Sequence, residues 1–149
     1  MDWTLKGFDA LSLHELYDLL VLRSRVFVVE QTCPFLDLDG LDKHSDVLHL
    51  LGWQNGELVA YARLLAPNVV KPDFAVIGRV VTAPEARGGG LGHQLMETAS
   101  AECERLWPQA PIYLGAQARL QGFYGRHGYR PEGETYLEDD ILHIGMVRP

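Results

Sequence analysis

The chain has little cysteine, few basic residues and no long apolar run. Cys33 and Cys103 are the only two cysteines in 149 residues. They are too few and too isolated for a disulfide framework or a zinc site, so a reducing, cytoplasmic setting fits and no metal is expected. Thirteen Lys and Arg face 20 Asp and Glu, for a net charge of −7. That balance argues against a nucleic-acid binder, which carries a basic face. It also means that no global field steers an anionic ligand in, so phosphate affinity must come from local backbone dipoles and a few arginines. No stretch approaches the roughly 18 apolar residues of a membrane span, and Met1-Asp-Trp-Thr-Leu-Lys6 does not resemble a signal peptide, so no membrane partner is expected. Internal repeats, linkers and low-complexity segments are absent as well.

What is present reads as one globular domain over residues 1–149, with 47% hydrophobic and 22% charged residues. Asp2 to Phe8 alternates loosely, as a short strand does. Ser12-Leu-His-Glu15 is a capping box, and Leu13, Leu16, Tyr17 and Leu20 follow at helical spacing, which predicts a helix from Leu13 to Val28. Arg23 and Arg25 then fall in its last turns, where cations favour the helix dipole. Cys33-Pro34 opens a loop with Asp37, Asp39, Asp42, His44 and Asp46. Its glycine is misplaced for the calcium loop of an EF-hand, so it reads as a loop lining a site or facing solvent. Val47 to Trp53 and Glu57 to Ala66 read as strands joined by Asn55-Gly56, a strong hairpin signal. Phe74 to Thr82 is the next strand. A helix from Leu91 to Leu106, a strand from Ile112 to Ala116, and a short helix through Leu120, Phe123, Tyr124 and His127 follow. A hairpin, Gly133 to Leu137 and Ile141 to Val147, closes the chain around Glu138-Asp-Asp140. Cys103 falls on the apolar face of the second helix. This order predicts an α/β fold with a mixed sheet and helices on both faces.

The chain is organised around Phe74-Ala-Val-Ile-Gly-Arg-Val-Val-Thr82, Ala83-Pro-Glu-Ala86 and Arg87-Gly-Gly-Gly-Leu-Gly92, which run from strand through glycines into a helix. The first turn of a helix offers unpaired N–H groups and the positive end of the dipole, and glycines let a phosphate come close. The dinucleotide frame G-x-G-x-x-G fails, because His93 or Leu95 stands where its last glycine belongs. The Walker frame fails for want of Gly-Lys, and no G-x-S-x-G elbow is present.

Arg87-x-x-Gly90-x-Gly92 fits instead. It resembles the acyl-CoA signature [QR]-x-x-G-x-[GA] of the GNAT superfamily of N-acetyltransferases. Tyr124-Gly-Arg-His-Gly128-Tyr129 is similar to the family's later Y-x-x-x-G-[FY] motif. Val26-Phe-Val-Val-Glu-Gln31, Cys33-Pro34, Tyr113-Leu-Gly-Ala-Gln117 and Leu137 to Met146 are similar to its ElaA-type branch. The resemblance spans nearly the whole chain.

The resemblance implies a mostly antiparallel sheet of six to seven strands, splayed between the fourth and fifth. Acetyl-CoA is the implied co-substrate. Its pantetheine arm falls to Val80, Val81 and Thr82, and its pyrophosphate to the N–H groups of Arg87, Gly88, Gly89, Gly90, Leu91, Gly92 and His93. Tyr124 falls on the tyrosine that serves such enzymes as proton donor to the departing thiolate, beside the cofactor. The acceptor implied is a small-molecule or side-chain amine, which must be neutral to attack. Some members carry a glutamate base on the fourth strand. Here that region is Val76-Ile-Gly-Arg79, so candidates come from elsewhere: Glu30, His44, Asp46 and His143, or a chain of waters. His127 reads as a surface residue. The alternatives are an acyl-homoserine-lactone-type synthase and a non-catalytic CoA-binding module, and a homodimer is left open.

Overall fold

The computed structural model describes residues 1–149. Seven strands form one sheet: β1 (Asp2–Gly7), β2 (Val47–Gln54), β3 (Glu57–Leu65), β4 (Ala75–Thr82), β5 (Ile112–Gln117), β6 (Arg130–Glu138) and β7 (Ile141–Arg148). Their spatial order is β1-β2-β3-β4-β5-β7-β6. Every neighbouring pair is antiparallel except β4 and β5. Three helices flank the sheet on both faces: α1 (Leu13–Arg23), α2 (Leu91–Leu106) and α3 (Gln121–Gly125).

Local chemistry sets the elements. Ser12 Oγ accepts from Glu15 N–H at 3.0 Å while the Glu15 carboxylate accepts from Ser12 N–H at 2.8 Å, so the capping box starts α1. Asn55 and Gly56 both take positive φ, 53° and 79°, which turns β2 into β3. From Val59 to Leu65 every residue of β3 is buried, at the centre of a core that also holds Leu19, Leu50, Ile77, Leu95 and Leu114. Cys103 lies in that core, and its thiol is pushed up to about 12 by burial. At the opposite extreme β6 is exposed along its length, and a register shift between Glu132 and Tyr136 together with its charges discourages further strand pairing at that edge.

The first helix differs from expectation. Its α-helical bonding stops at Arg23, and Ser24–Glu30 continues as a π-helix. Gln31 N–H reaches Val26 O and Cys33 N–H reaches Val28 O, one residue further back than an α-helix allows. Arg23 is no dipole cation either. It is fully buried, with Nε 2.8 Å from Asp37 and Nη1 2.8 Å from Asp42. Arg25 pairs with Glu85 on the surface at 2.8 Å. The closing hairpin is longer than its apolar pattern suggested, with β6 starting at Arg130. His127 falls beyond α3.

Candidate functional site

β4 and β5 pair only through Ala75 with Ile112 and Val76 with Tyr113. Beyond that they diverge, so the β4 edge from Ile77 to Thr82 loses its β5 partner. A cavity of about 1010 Å³ opens there, within the range of small-molecule sites. Val80, Val81, Thr82, Arg87, Gly92 and Tyr124 all line it, as do Glu30 and His143. His44 does not, and bonds locally through Nδ1 to the Asp46 N–H. Gly88 to Leu91 and His93 lie outside the lining, on the turn at its end.

The backbone of that turn is open. Gly88 and Gly90 take φ of 98° and 82°, which L side chains resist, and a Cβ at 88, 89 or 90 would meet nothing within 4 Å. The first α-helical bond of α2 runs from Gln94 N–H to Gly90 O, so the N–H groups of Leu91, Gly92 and His93 have no carbonyl one turn back. They point out of the N-terminus of a 16-residue helix. The residues therefore fit a pyrophosphate by backbone dipoles alone. His93 Nδ1 sits 2.9 Å from His127 Nε2, so His93, expected beside the cofactor, and His127, expected at the surface, form a pair. Burial and His93 push the His127 imidazole below its ordinary value.

Arg87 turns toward Glu30, with Nη1 and Nη2 each 2.9 Å from a carboxylate oxygen, and also donates to Thr82 O. The Arg87 hydrogen bonds hold the Glu30 carboxyl below the usual carboxylate range. A committed, acidified carboxylate is a poor proton acceptor. Tyr124 is 7% exposed, and burial alone pushes its hydroxyl up to about 12. It stays protonated at neutral pH, as a proton donor must.

The loop rich in aspartate forms one side of the site through a six-membered ion network that sequence spacing did not reveal. Asp42 is 2.8 Å from Arg23 and 3.1 Å from Arg63, and Asp39 is 2.8 Å from Arg63. Arg79 Nε lies 2.8 Å from Asp37 Oδ1 but off the N–H line, so the contact is an ion pair without a linear hydrogen bond. Burial opposes ionisation of Asp39, but hydrogen bonding and charge from Arg63 outweigh it and bring the carboxyl down to about 2. Arg79 has φ of +50°, where the β3–β4 register carries an extra residue on β4 between Gly78 and Val81. This bulge re-aims the β4 edge inside the cavity wall.

The opposite wall is the face shared by β5, β7 and β6. The register places Gly115 opposite Gly145, Gln117 opposite His143, and His143 opposite Tyr136. Tyr136 and Tyr113 lie over the glycine pair. A Cβ on Gly115 would stand 2.8 Å from Tyr136 Oη, and one on Gly145 2.7 Å from Tyr113 Oη. Cys33 Sγ reaches Asp139 O at 3.4 Å, linking the loop after the π-helix to the β6–β7 turn.

A glycine turn feeding a helix at the end of a strand splayed from its parallel neighbour, with a buried tyrosine facing the gap, is the architecture of acyl-CoA-dependent acyltransferases. The family model described as acetyltransferase (GNAT) domain matches residues 38–148, and the chain belongs to that family. Within it, the chain is 49% identical to protein ElaA of Escherichia coli strain K12, over 99% of this chain and 96% of that protein. The crystal structure of Escherichia coli ElaA superposes with a TM-score of 0.93 at 48% identity, covering all of both chains. An acyl-CoA N-acyltransferase from Pseudomonas aeruginosa superposes with a TM-score of 0.94 at 56% identity, covering 99% of each chain. A CoA-dependent acyl-homoserine lactone synthase shares the fold at a TM-score of 0.71 and 19% identity, a likeness of fold alone.

Proposed function

We propose that the chain works as one cytoplasmic N-acetyltransferase domain that moves an acetyl group from acetyl-CoA directly to an amine. The observation that carries this reading is the end of β4–β5 pairing at Val76 and Tyr113, which leaves the β4 edge unpaired between the glycine turn and Tyr124. In the proposed complex, Val80, Val81 and Thr82 offer backbone groups to the pantetheine arm. The N–H groups from Arg87 to His93 hold the pyrophosphate. The amine nitrogen attacks the thioester carbonyl carbon, the new oxyanion takes a hydrogen bond from a β4 N–H, and the C–S bond breaks. Tyr124 gives its hydroxyl proton to the departing sulfur. Its neutral hydroxyl and its place in the cavity support that role.

Thiol release from acetyl-CoA, followed against a panel of amines, amino acids and peptides, tests the reading. Turnover with at least one amine is expected, and Tyr124→Phe should lower kcat about 100-fold with the Kd for acetyl-CoA unchanged. Binding of acetyl-CoA without transfer to any amine would instead mark a CoA-binding module. Equal loss of binding and turnover in Tyr124→Phe would remove the proton-donor role.

A further inference from the structure

The acetyl-transfer reading leaves one proton unassigned, the one the amine must lose. His143 is 92% buried in the chain and lines the same cavity as Tyr124. It lies opposite Gln117, the last residue of β5, at the wide end of the splay. Only a short 3-10 turn, Ala118–Leu120, separates Gln117 from the helix that carries Tyr124.

The His143 ring is held from two sides. Nδ1 lies 2.7 Å from the carbonyl oxygen of Ile141. A carbonyl can only accept, so Nδ1 carries the hydrogen and Nε2 of the neutral ring presents a lone pair. Tyr136 stacks on the ring, with centroids 5.8 Å apart and planes 24° from parallel. Nε2 in turn stands 3.5 Å from Glu138 Oε2. That carboxylate stands where an imidazolium formed by protonation of Nε2 would find an ion-pair partner. The arrangement has the form of a base whose tautomer is fixed by a backbone carbonyl and whose free nitrogen has a carboxylate beside it.

On the basis of the acetyl-transfer reading, we infer that His143 Nε2 accepts the proton of the attacking amine and that Glu138 is the positioning residue for the resulting imidazolium. The step balances. The C–N bond forms and the C–S bond breaks, the nitrogen's proton passes to His143 Nε2, and the sulfur takes the proton of Tyr124. A proton returned from His143 to Tyr124 through solvent restores both groups. The products are the N-acetyl amine and free CoA thiol.

The other groups around His143 leave it this task. Tyr136 on β6 is pushed up to about 12 by burial, Tyr113 and Glu138, and Tyr124 to about 12 by burial. Burial, Asp139 and Asp140 raise the Cys33 thiol. Glu138, Asp139 and Arg119 are the charged residues on this part of the cavity lining.

The test uses the full chain with acetyl-CoA and whichever amine is turned over. His143→Gln should lower kcat about 100-fold or more, leave the Kd for acetyl-CoA within twofold, and remove the acidic limb of the kcat–pH profile. Free imidazole should restore activity to His143→Ala, a response that a merely structural role does not give. Glu138→Gln removes the carboxylate beside Nε2, so kcat should fall severalfold while the Kd for acetyl-CoA stays unchanged. Nitrogen NMR of the wild-type imidazole should show hydrogen on Nδ1 in the neutral form, a readout independent of whether the His143 variants fold. Transfer by His143→Gln within threefold of wild type with an unchanged pH profile, an Nε2–H tautomer, or wild-type kcat in Glu138→Gln would overturn the assignment and leave acetyl transfer standing. A wild-type protein that transfers acetyl to no amine overturns both.

Discussion

Arg87 and Glu30 meet fork to fork, each guanidinium nitrogen 2.9 Å from a carboxylate oxygen, across the join between the π-helix and the glycine turn. The pair is solvent-exposed, at 42% and 39%, so it adds little to stability. It does place a carboxylate beside the proposed pyrophosphate cradle. Glu30→Gln should therefore change stability by less than about 1 kcal/mol and bind acetyl-CoA at least as tightly as wild type. Its kcat should stay within about threefold, since a carboxylate already committed to Arg87 is a poor proton acceptor. Chemical denaturation, calorimetric titration and steady-state kinetics read the three outcomes. A collapse of kcat with Kd intact would return Glu30 to the list of bases.

The buried end of the ion network gives a larger effect. Arg23 joins Asp37 and Asp42 at 2.8 Å each, with no exposure of its own. Removing one member of a buried network strands the remaining charges, at a cost of about 3–5 kcal/mol. Each aspartate keeps a second arginine, Arg79 or Arg63, so Arg23→Met should fall near the lower end, about 3 kcal/mol. The same network sets an acid response. Asp39 sits at about 2 in the folded chain, against roughly 3.9 when unfolded, so it stabilises the fold above pH 4 or so. That contribution is lost as pH falls through about 2. Asp42 is lowered too, because its arginine partners outweigh burial, and it acts in the same direction. Urea unfolding between pH 2 and 5 should show stability rising with pH, and Asp39→Asn should flatten that slope.

Local signals in the sequence were sufficient for the parts of the fold that local physics decides. The Ser12–Glu15 box, the Asn55-Gly56 turn and the glycines before α2 each act within a few residues, and each forms as read. The resemblance in Arg87-x-x-Gly90-x-Gly92 and Tyr124-x-x-x-Gly128 located the splay. What could not be read depended on partners distant in the chain. Arg23 has the same sequence context whether it faces solvent or Asp42, and only packing of the loop onto β3 buries it. The π-helix after Arg23 carries a continuous apolar run, Val26 to Val29, that does not tell it from an α-helix, and it differs in which carbonyl each N–H meets. His143 was visible as a histidine on the last strand. Its tautomer and its stacking on Tyr136 follow from strand register and a backbone carbonyl.

Strand register also produces the Gly115–Gly145 pair, and this is testable by a double-mutant cycle. A methyl on Gly115 would stand 2.8 Å from Tyr136 Oη, below any ordinary contact. Overpacking of this kind costs about 1–3 kcal/mol. Gly115→Ala should lie in that range alone and cost clearly less in a Tyr136→Phe background, where the colliding oxygen is gone. Equal costs in the two backgrounds, measured by denaturant unfolding, would mean that the tyrosine moves aside freely and that the glycine has another reason to be there.

The three glycines of the turn should separate by backbone angle. Gly88 and Gly90 have φ of 98° and 82°, whereas Gly89 lies outside the left-handed region, and all three have open space where a Cβ would stand. Alanine at 88 or 90 should lower stability by about 1–2 kcal/mol through strain, with no steric clash in the free chain. Alanine at 89 should leave stability unchanged or slightly raised. Binding separates them differently. If the pyrophosphate occupies this turn, Gly90→Ala should weaken acetyl-CoA at least tenfold in calorimetric titration, more than a lowered melting temperature explains at a temperature where the variant is fully folded. Wild-type affinity in folded Gly90→Ala would place the phosphates elsewhere. Equal destabilisation at all three positions would refute the backbone-angle argument.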